Sequence, residues 1–309
     1  MSNARRPNSA PDGKPGESRL LPLVIACAVC FAAAGILGGG SWYLFGSRER
    51  GARDEAATTV VQTPPAQTPT PAATPEAQPV KLAPAGELPV AGGEVVLGGG
   101  DTGVPLRREF VEPFLVAETE VTNEQYRDFV KASGYKPPEH WKGGEFPPGA
   151  SLEPVTGVSW NDAVAYCKWL SHEINAEARL PTEAEWEAAA RGREDRKYPW
   201  GNDWNERAAD CMEAGGHVRA VKSFPAGKSP AGAYDMAGNV WEWTAEEWRG
   251  EDGQPKVKDG VTFYAIKGGS AKEPRSLVNV ESRYGVAADK SSAALGFRYV
   301  VRRGVERHE

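Results

Sequence analysis

The chain has 309 residues, with 36 Lys and Arg against 42 Asp and Glu, a formal net charge of −6. That balance excludes a polycationic nucleic-acid binder, because phosphate contacts need clustered positive charge. The four cysteines (Cys27, Cys30, Cys167, Cys211) and four histidines have no zinc-site spacing, and so few cysteines cannot staple a disulfide-dense framework.

Residues 1–19 are a short polar tail carrying Arg5, Arg6, Lys14 and Arg19. No charged residue then occurs from 20 to 45, a run of 26 residues. As a helix it would extend roughly 39 Å, enough to cross a hydrocarbon core of about 30 Å. Trp42 and Tyr43 near its end suit an interfacial aromatic anchor. The run reads as one transmembrane helix. Two other readings stay open: a cleaved signal peptide, given the small residues at 32–40, and lipidation at Cys27, whose preceding residues resemble a lipoprotein box. Cys27 and Cys30 form a C-x-x-C pair, but redox chemistry needs an exposed thiolate that a lipid-embedded pair lacks.

Residues 46–93 read as a Pro/Ala/Thr-rich linker, with eight prolines between 56 and 92. Such a composition cannot bury a core and makes an extended spacer. Basic residues flank the span almost equally, so the spacer decides the orientation. The expected topology is a single pass through the cytoplasmic membrane, with the domain outside the cytoplasm.

The folded domain is expected over residues 94–302, followed by a tail at 303–309. Three capping boxes announce helices. Thr122 with Gln125 opens one that buries Tyr126, Phe129 and Val130. Ser159 with Asp162 opens a second that buries Ala163, Tyr166, Cys167, Leu170 and Ile174. Thr182 with Glu185 opens a third, with Trp186 and Ala189 inward and Gly192 as its stop. Short strands are expected at 94–97, 114–116, 263–266 and 297–301. The mixture predicts an α+β domain with much irregular structure.

Seven motifs follow one another along this domain: EVTNEQY (120–126), VSWNDAVAYC (158–167), RLPTEAEWE (179–187), YPWGN (198–202), YDMAGNVWEW (234–243), KGGS (267–270) and LGFR (295–298). Together they resemble the formylglycine-generating enzyme, or sulfatase-modifying factor, family across residues 94–302. The resemblance implies a variant C-type lectin-like fold. In active members two cysteines shortly after the Gly-Gly-Ser bind copper, and that centre oxidises a cysteine in a Cys-x-Pro-x-Arg peptide. Soft thiolates suit Cu(I). Counted from Ser270, those positions are Glu273 and Val278, and residues 269–278 contain no cysteine. The usual partner of Cys167 falls on Tyr299, and an expected Asn falls on Ala294. No catalytic residue and no copper are therefore expected. Trp241 and Ser270 match positions lining the family's site; with Glu273 and Arg275 they make a candidate ligand groove.

The resemblance also implies calcium wrapped by the 235–242 loop, through the Asp235 and Glu242 side chains and the Gly238 and Val240 carbonyls. Hard oxygen ligands suit that ion. The alternative is a loop held by backbone hydrogen bonds and tryptophan packing alone. The family's second calcium region shrinks here to residues 210–217. The expected function is a non-catalytic binding or structural module for an envelope protein or glycan, anchored in a bacterial membrane. The rivals are a metal-dependent oxidoreductase with unorthodox ligands, an enzyme using Glu273 with Arg275, and a carboxylate pair drawn from Glu242, Glu246 and Glu273.

Overall fold

The computed structural model describes residues 86–99, 106–250 and 253–302. The N-terminal tail, the expected membrane span, Cys27, Cys30, the linker up to residue 85 and the C-terminal tail lie outside the described residues. Among the described residues no helix is long and apolar enough to cross a membrane. The domain begins earlier than residue 94. Strand β1 (Glu87–Val90) pairs antiparallel with β4 (Phe114–Ala117), Glu87 opposite Ala117. Pro89 hides this strand in the sequence, but β1 is an edge, where a missing N–H costs no ladder bond.

Three helices form where the capping boxes stand. They are α1 (Asn123–Ser133), α2 (Trp160–Ile174) and α3 (Glu183–Arg191), with N-caps Thr122, Ser159 and Thr182. In each box the cap hydroxyl accepts the N3 backbone N–H and the N3 side chain accepts the cap N–H, so two orphan donors are satisfied at once. Helices α1 and α2 bury one face. Tyr126 meets Phe129 and Phe297 edge-on and stacks on Tyr166, joining both helices to the LGFR segment. Helix α3 departs from expectation, since all nine of its residues are buried.

The strands form three sheets. One runs β1-β4-β11-β5, with β5 at Glu177–Arg179 and β11 at Val300–Arg302. A hairpin of β2 (Gly93–Leu97) and β3 (Arg107–Val111) packs with β1, β4 and α3 around Trp186, Leu97 and Val116. The third sheet carries the site. Its centre is β6 (Trp241–Glu247) against β8 (Val261–Lys267), with β10 (Leu295–Gly296) parallel to β6 and with β7 (Val257–Lys258) and β9 (Arg283–Ala287) on β8. Residues 297–299, expected as strand, instead leave the ladder. Phe297 and Tyr299 offer carbonyls to Val121 and Ala117, which frees Arg298 to point inward. The result is a mixed α/β domain with few helices.

Candidate functional site

Beyond β8 the chain turns on Gly268 and Gly269, both at positive φ (95° and 75°). A Cβ on Gly268 would press on the Trp186 ring, and one on Gly269 would collide with the Leu277 carbonyl. Only glycine fits both torsion and space. The turn delivers Ser270 fully buried, where its hydroxyl accepts the Lys272 N–H at 3.2 Å. The Ser270 carbonyl takes the Glu273 N–H, fixing that residue beside β6. Trp241 Nε1 donates to Glu273 Oε1 at 3.2 Å, and Tyr284 meets the Trp241 ring edge-on.

Trp241, Ser270 and Glu273 lie together, with Trp241 and Ser270 both buried. Ser270 supports the groove from beneath rather than lining it. Arg275 turns away. Its guanidinium pairs with Glu206 at 2.8 Å and lies 5.0 Å from the Trp204 ring centre, beside the Tyr198–Trp200 stack. Glu273 and Arg275 consequently do not form a pair. Val278 is fully buried with Ala209, Cys211 and Ala237.

Sequence separation concealed the placement of Cys211. Its loop lies along the 270–278 segment: the Met212 N–H donates to the Glu273 carbonyl, and the Arg275 N–H to Glu213 Oε2. Cys211 therefore sits in the cluster that holds Val278. Burial and a hydrogen bond with Glu213 push its thiol up, away from thiolate. Cys167, in the main core, is pushed up by burial. Both are free thiols. A small cleft of about 120 Å³, lined by Lys136, Ser159 and Asp162 among others, shares no residue with the groove.

The 235–242 loop lies behind Trp241. Asp235 and Asn239 hold left-handed torsions and Gly238 has φ 90°, so the chain curls tightly before β6. Glu242 is buried, and both its oxygens are engaged. Arg298 Nε and Nη2 donate to them at 2.7 Å each, and Trp186 Nε1 adds a bond at 2.8 Å. Arg298 also donates to the Ala117 and Tyr234 carbonyls. Against burial, which would lower it, Glu242 raises the guanidinium pKa. Asp235 accepts the Lys222 N–H at 2.9 Å, and its carboxyl is pushed up to about 6 by burial.

Glu120, from the first motif, is the residue the sequence reading did not place here. It is fully buried, with one oxygen accepting from Asn239 Nδ2 at 3.1 Å. Its Oε2 is buried with no hydrogen-bond partner. Burial first, then Asp235, push its carboxyl well above the usual range. Nearby, Asp210 of the shrunken 210–217 region accepts from the Cys211 N–H and from Arg219 Nε at 2.8 Å, the cation coming from just beyond that region.

The profile described as "Sulfatase-modifying factor enzyme 1-like domain" matches residues 71–303. The chain belongs to this family. A formylglycine-generating enzyme from Thermomonospora curvata is 33% identical over 291 residues, covering 69% of this chain and 92% of that protein. The "Inactive C-alpha-formylglycine-generating enzyme 2" of Bos taurus is 32% identical over 253 residues, covering 65% of this chain and 81% of that protein. The crystal structure of CarF superposes with TM-score 0.57 and 26% identity, covering 71% of this chain and 99% of CarF.

Proposed function

We propose that this sulfatase-modifying-factor domain is a non-catalytic binding or structural module, recognising an envelope protein or glycan outside the cytoplasm. One observation carries the reading. Of the two thiolate positions of the active family, one is a carboxylate committed to Trp241 and the other an isopropyl group sealed in an apolar cluster. Neither side chain can donate soft electron density to Cu(I). Cys211, beside Val278, offers a single thiol held protonated. The similarity to a mammalian relative named as inactive supports the same conclusion. What the groove retains is recognition chemistry: the exposed Tyr284 ring set against buried Trp241, the Glu273 carboxylate, and the adjoining Trp204–Arg275–Glu206 wall.

Under this reading the variant C-type lectin-like scaffold binds one Ca²⁺ through the 235–242 loop, with the Asp235 and Glu242 carboxylates and the Gly238 and Val240 carbonyls as donors. The ion's role is to hold the loop that presents Trp241. Residues 20–45 tether the domain to the cytoplasmic membrane. The deciding experiment supplies the protein with Cu(I), oxygen and a peptide carrying Cys-x-Pro-x-Arg. The expected peptide mass is unchanged, and the mass loss of cysteine-to-formylglycine conversion would overturn the reading. In affinity capture from envelope extracts, Trp241→Ala should lose whatever the wild type retains.

A further inference from the structure

The buried cluster behind Trp241 is short of positive charge. Three carboxylates, on Glu120, Asp235 and Glu242, act on one guanidinium, Arg298. That guanidinium spends two of its bonds on Glu242 and the others on backbone carbonyls. Lys222, whose charge also acts on Asp235, sends its ammonium to Glu118. Glu120 cannot turn to water for relief. Its neighbours are pinned on both sides, Val121 N–H to the Phe297 carbonyl and Tyr234 N–H to the Glu118 carbonyl, and the side chain is fully buried.

One Glu120 oxygen is tied through Asn239 to the 235–242 loop, which leaves Oε2 without a partner beside that loop. An unpaired buried carboxylate oxygen is costly unless a proton or a cation neutralises it. Among the described residues no three acidic, histidine or cysteine side chains converge to hold a metal by themselves, so a cation here needs carboxylates and carbonyls together. A hard cation accepts that mixture.

We propose that Glu120 supplies the second carboxylate of the cation site, binding a divalent cation of the Ca²⁺ class together with Asp235 and the loop carbonyls, while Glu242 remains in its ion pair with Arg298. The inference rests on the calcium reading above and changes its ligand set. It assigns EVTNEQY a role that capping does not explain, since Glu120 lies outside the Thr122–Gln125 box.

The test uses the full chain in detergent, stripped with EGTA and titrated with Ca²⁺ alone by calorimetry, with thermal unfolding measured in EGTA and in Ca²⁺. Wild type should bind one Ca²⁺ and unfold at a higher temperature with it. Asp235→Ala should abolish both effects. Glu120→Gln keeps the acceptor for Asn239 and removes the carboxylate that a cation would need, so its affinity should fall at least tenfold. Its melting temperature in EGTA should equal or exceed that of wild type. If Glu120→Gln binds Ca²⁺ like wild type while Asp235→Ala does not, Glu120 is no ligand and the calcium reading survives. If Glu120→Gln is equally destabilised in EGTA and in Ca²⁺, its role is structural and the proposal fails. Absence of Ca²⁺ binding by wild type would overturn both.

Discussion

Arg298 shows how one side chain can hold three parts of a fold. Its guanidinium joins the end of β4 through Ala117, the loop before β6 through Tyr234, and β6 itself through Glu242. All of this happens out of water, where an ion pair is strong but breaking it leaves an uncompensated charge. Arg298→Met would strand Glu242 beside Glu120 and Asp235, a loss expected at about 3–5 kcal/mol. Chemical denaturation with a lowered midpoint and unchanged slope would register it. Exchanging both partners, Arg298→Met with Glu242→Leu, should recover part of that loss, because the stranded charge goes with its partner. A double variant no more stable than Arg298→Met alone would mean that the bonds to Ala117 and Tyr234 dominate.

Among the elements, α3 is the most instructive. Its apolar face, Trp186 and Ala189, was legible in the sequence, as were all three helix starts, because capping is a local interaction. Its complete burial was not. The four charged residues on the helix are buried in ion pairs, three of them with residues outside it: Glu183 takes Arg283, Glu185 takes Arg179, and Glu187 takes Lys267 together with Arg191 one turn along the same helix. A polar face read from sequence assumes water outside it, and tertiary packing replaced that water with cations. Strand β6 was missed for a related reason. WEWTAEE shows no alternation because its first four residues are all buried. The capping boxes also titrate. Burial would raise the Asp162 carboxyl, but the Ser159 hydroxyl and N–H outweigh it and hold the pKa below the usual value. Glu185 is lowered in the same way, burial being outweighed by Arg179 and Thr182. A lowered carboxyl pKa means that the unfolded chain takes up protons first, so the stability it contributes is present above the ordinary carboxylate range. It is lost as pH falls through about 4 and below. Asp162→Asn should therefore flatten the acid limb of a melting-temperature profile. At neutral pH it should cost about 1 kcal/mol, of the order of a lost cap. An acid limb identical to that of wild type would contradict this account.

At the scale of the whole molecule, the question is how a domain reaching back to β1 is joined to the uncharged run at 20–45. The ladder between Glu87–Val90 and Phe114–Ala117 ties down the backbone from residue 87 onward, and protease needs an extended segment free of such pairing. Under the proposed topology, the Pro/Ala/Thr-rich stretch before it is the spacer. Protease added outside the intact cytoplasmic membrane should therefore cut before residue 86 and release a fragment retaining β1, not one starting at Glu94. The uncut chain should stay with the membrane after carbonate washing, and its N-terminal residues should be detectable by mass spectrometry. A mature protein beginning after residue 35, or at a lipidated Cys27, would refute a retained span. Linker protection from external protease would reverse the orientation. A fragment beginning at Glu94 would mean that the β1–β4 pairing opens readily, and trimming the chain to residue 94 should then leave its unfolding temperature unchanged. The pairing predicts instead that this truncation lowers stability, because it strips β4 of an edge partner, removes Val90 from the core around Trp186 and uncovers Phe114 in the same core.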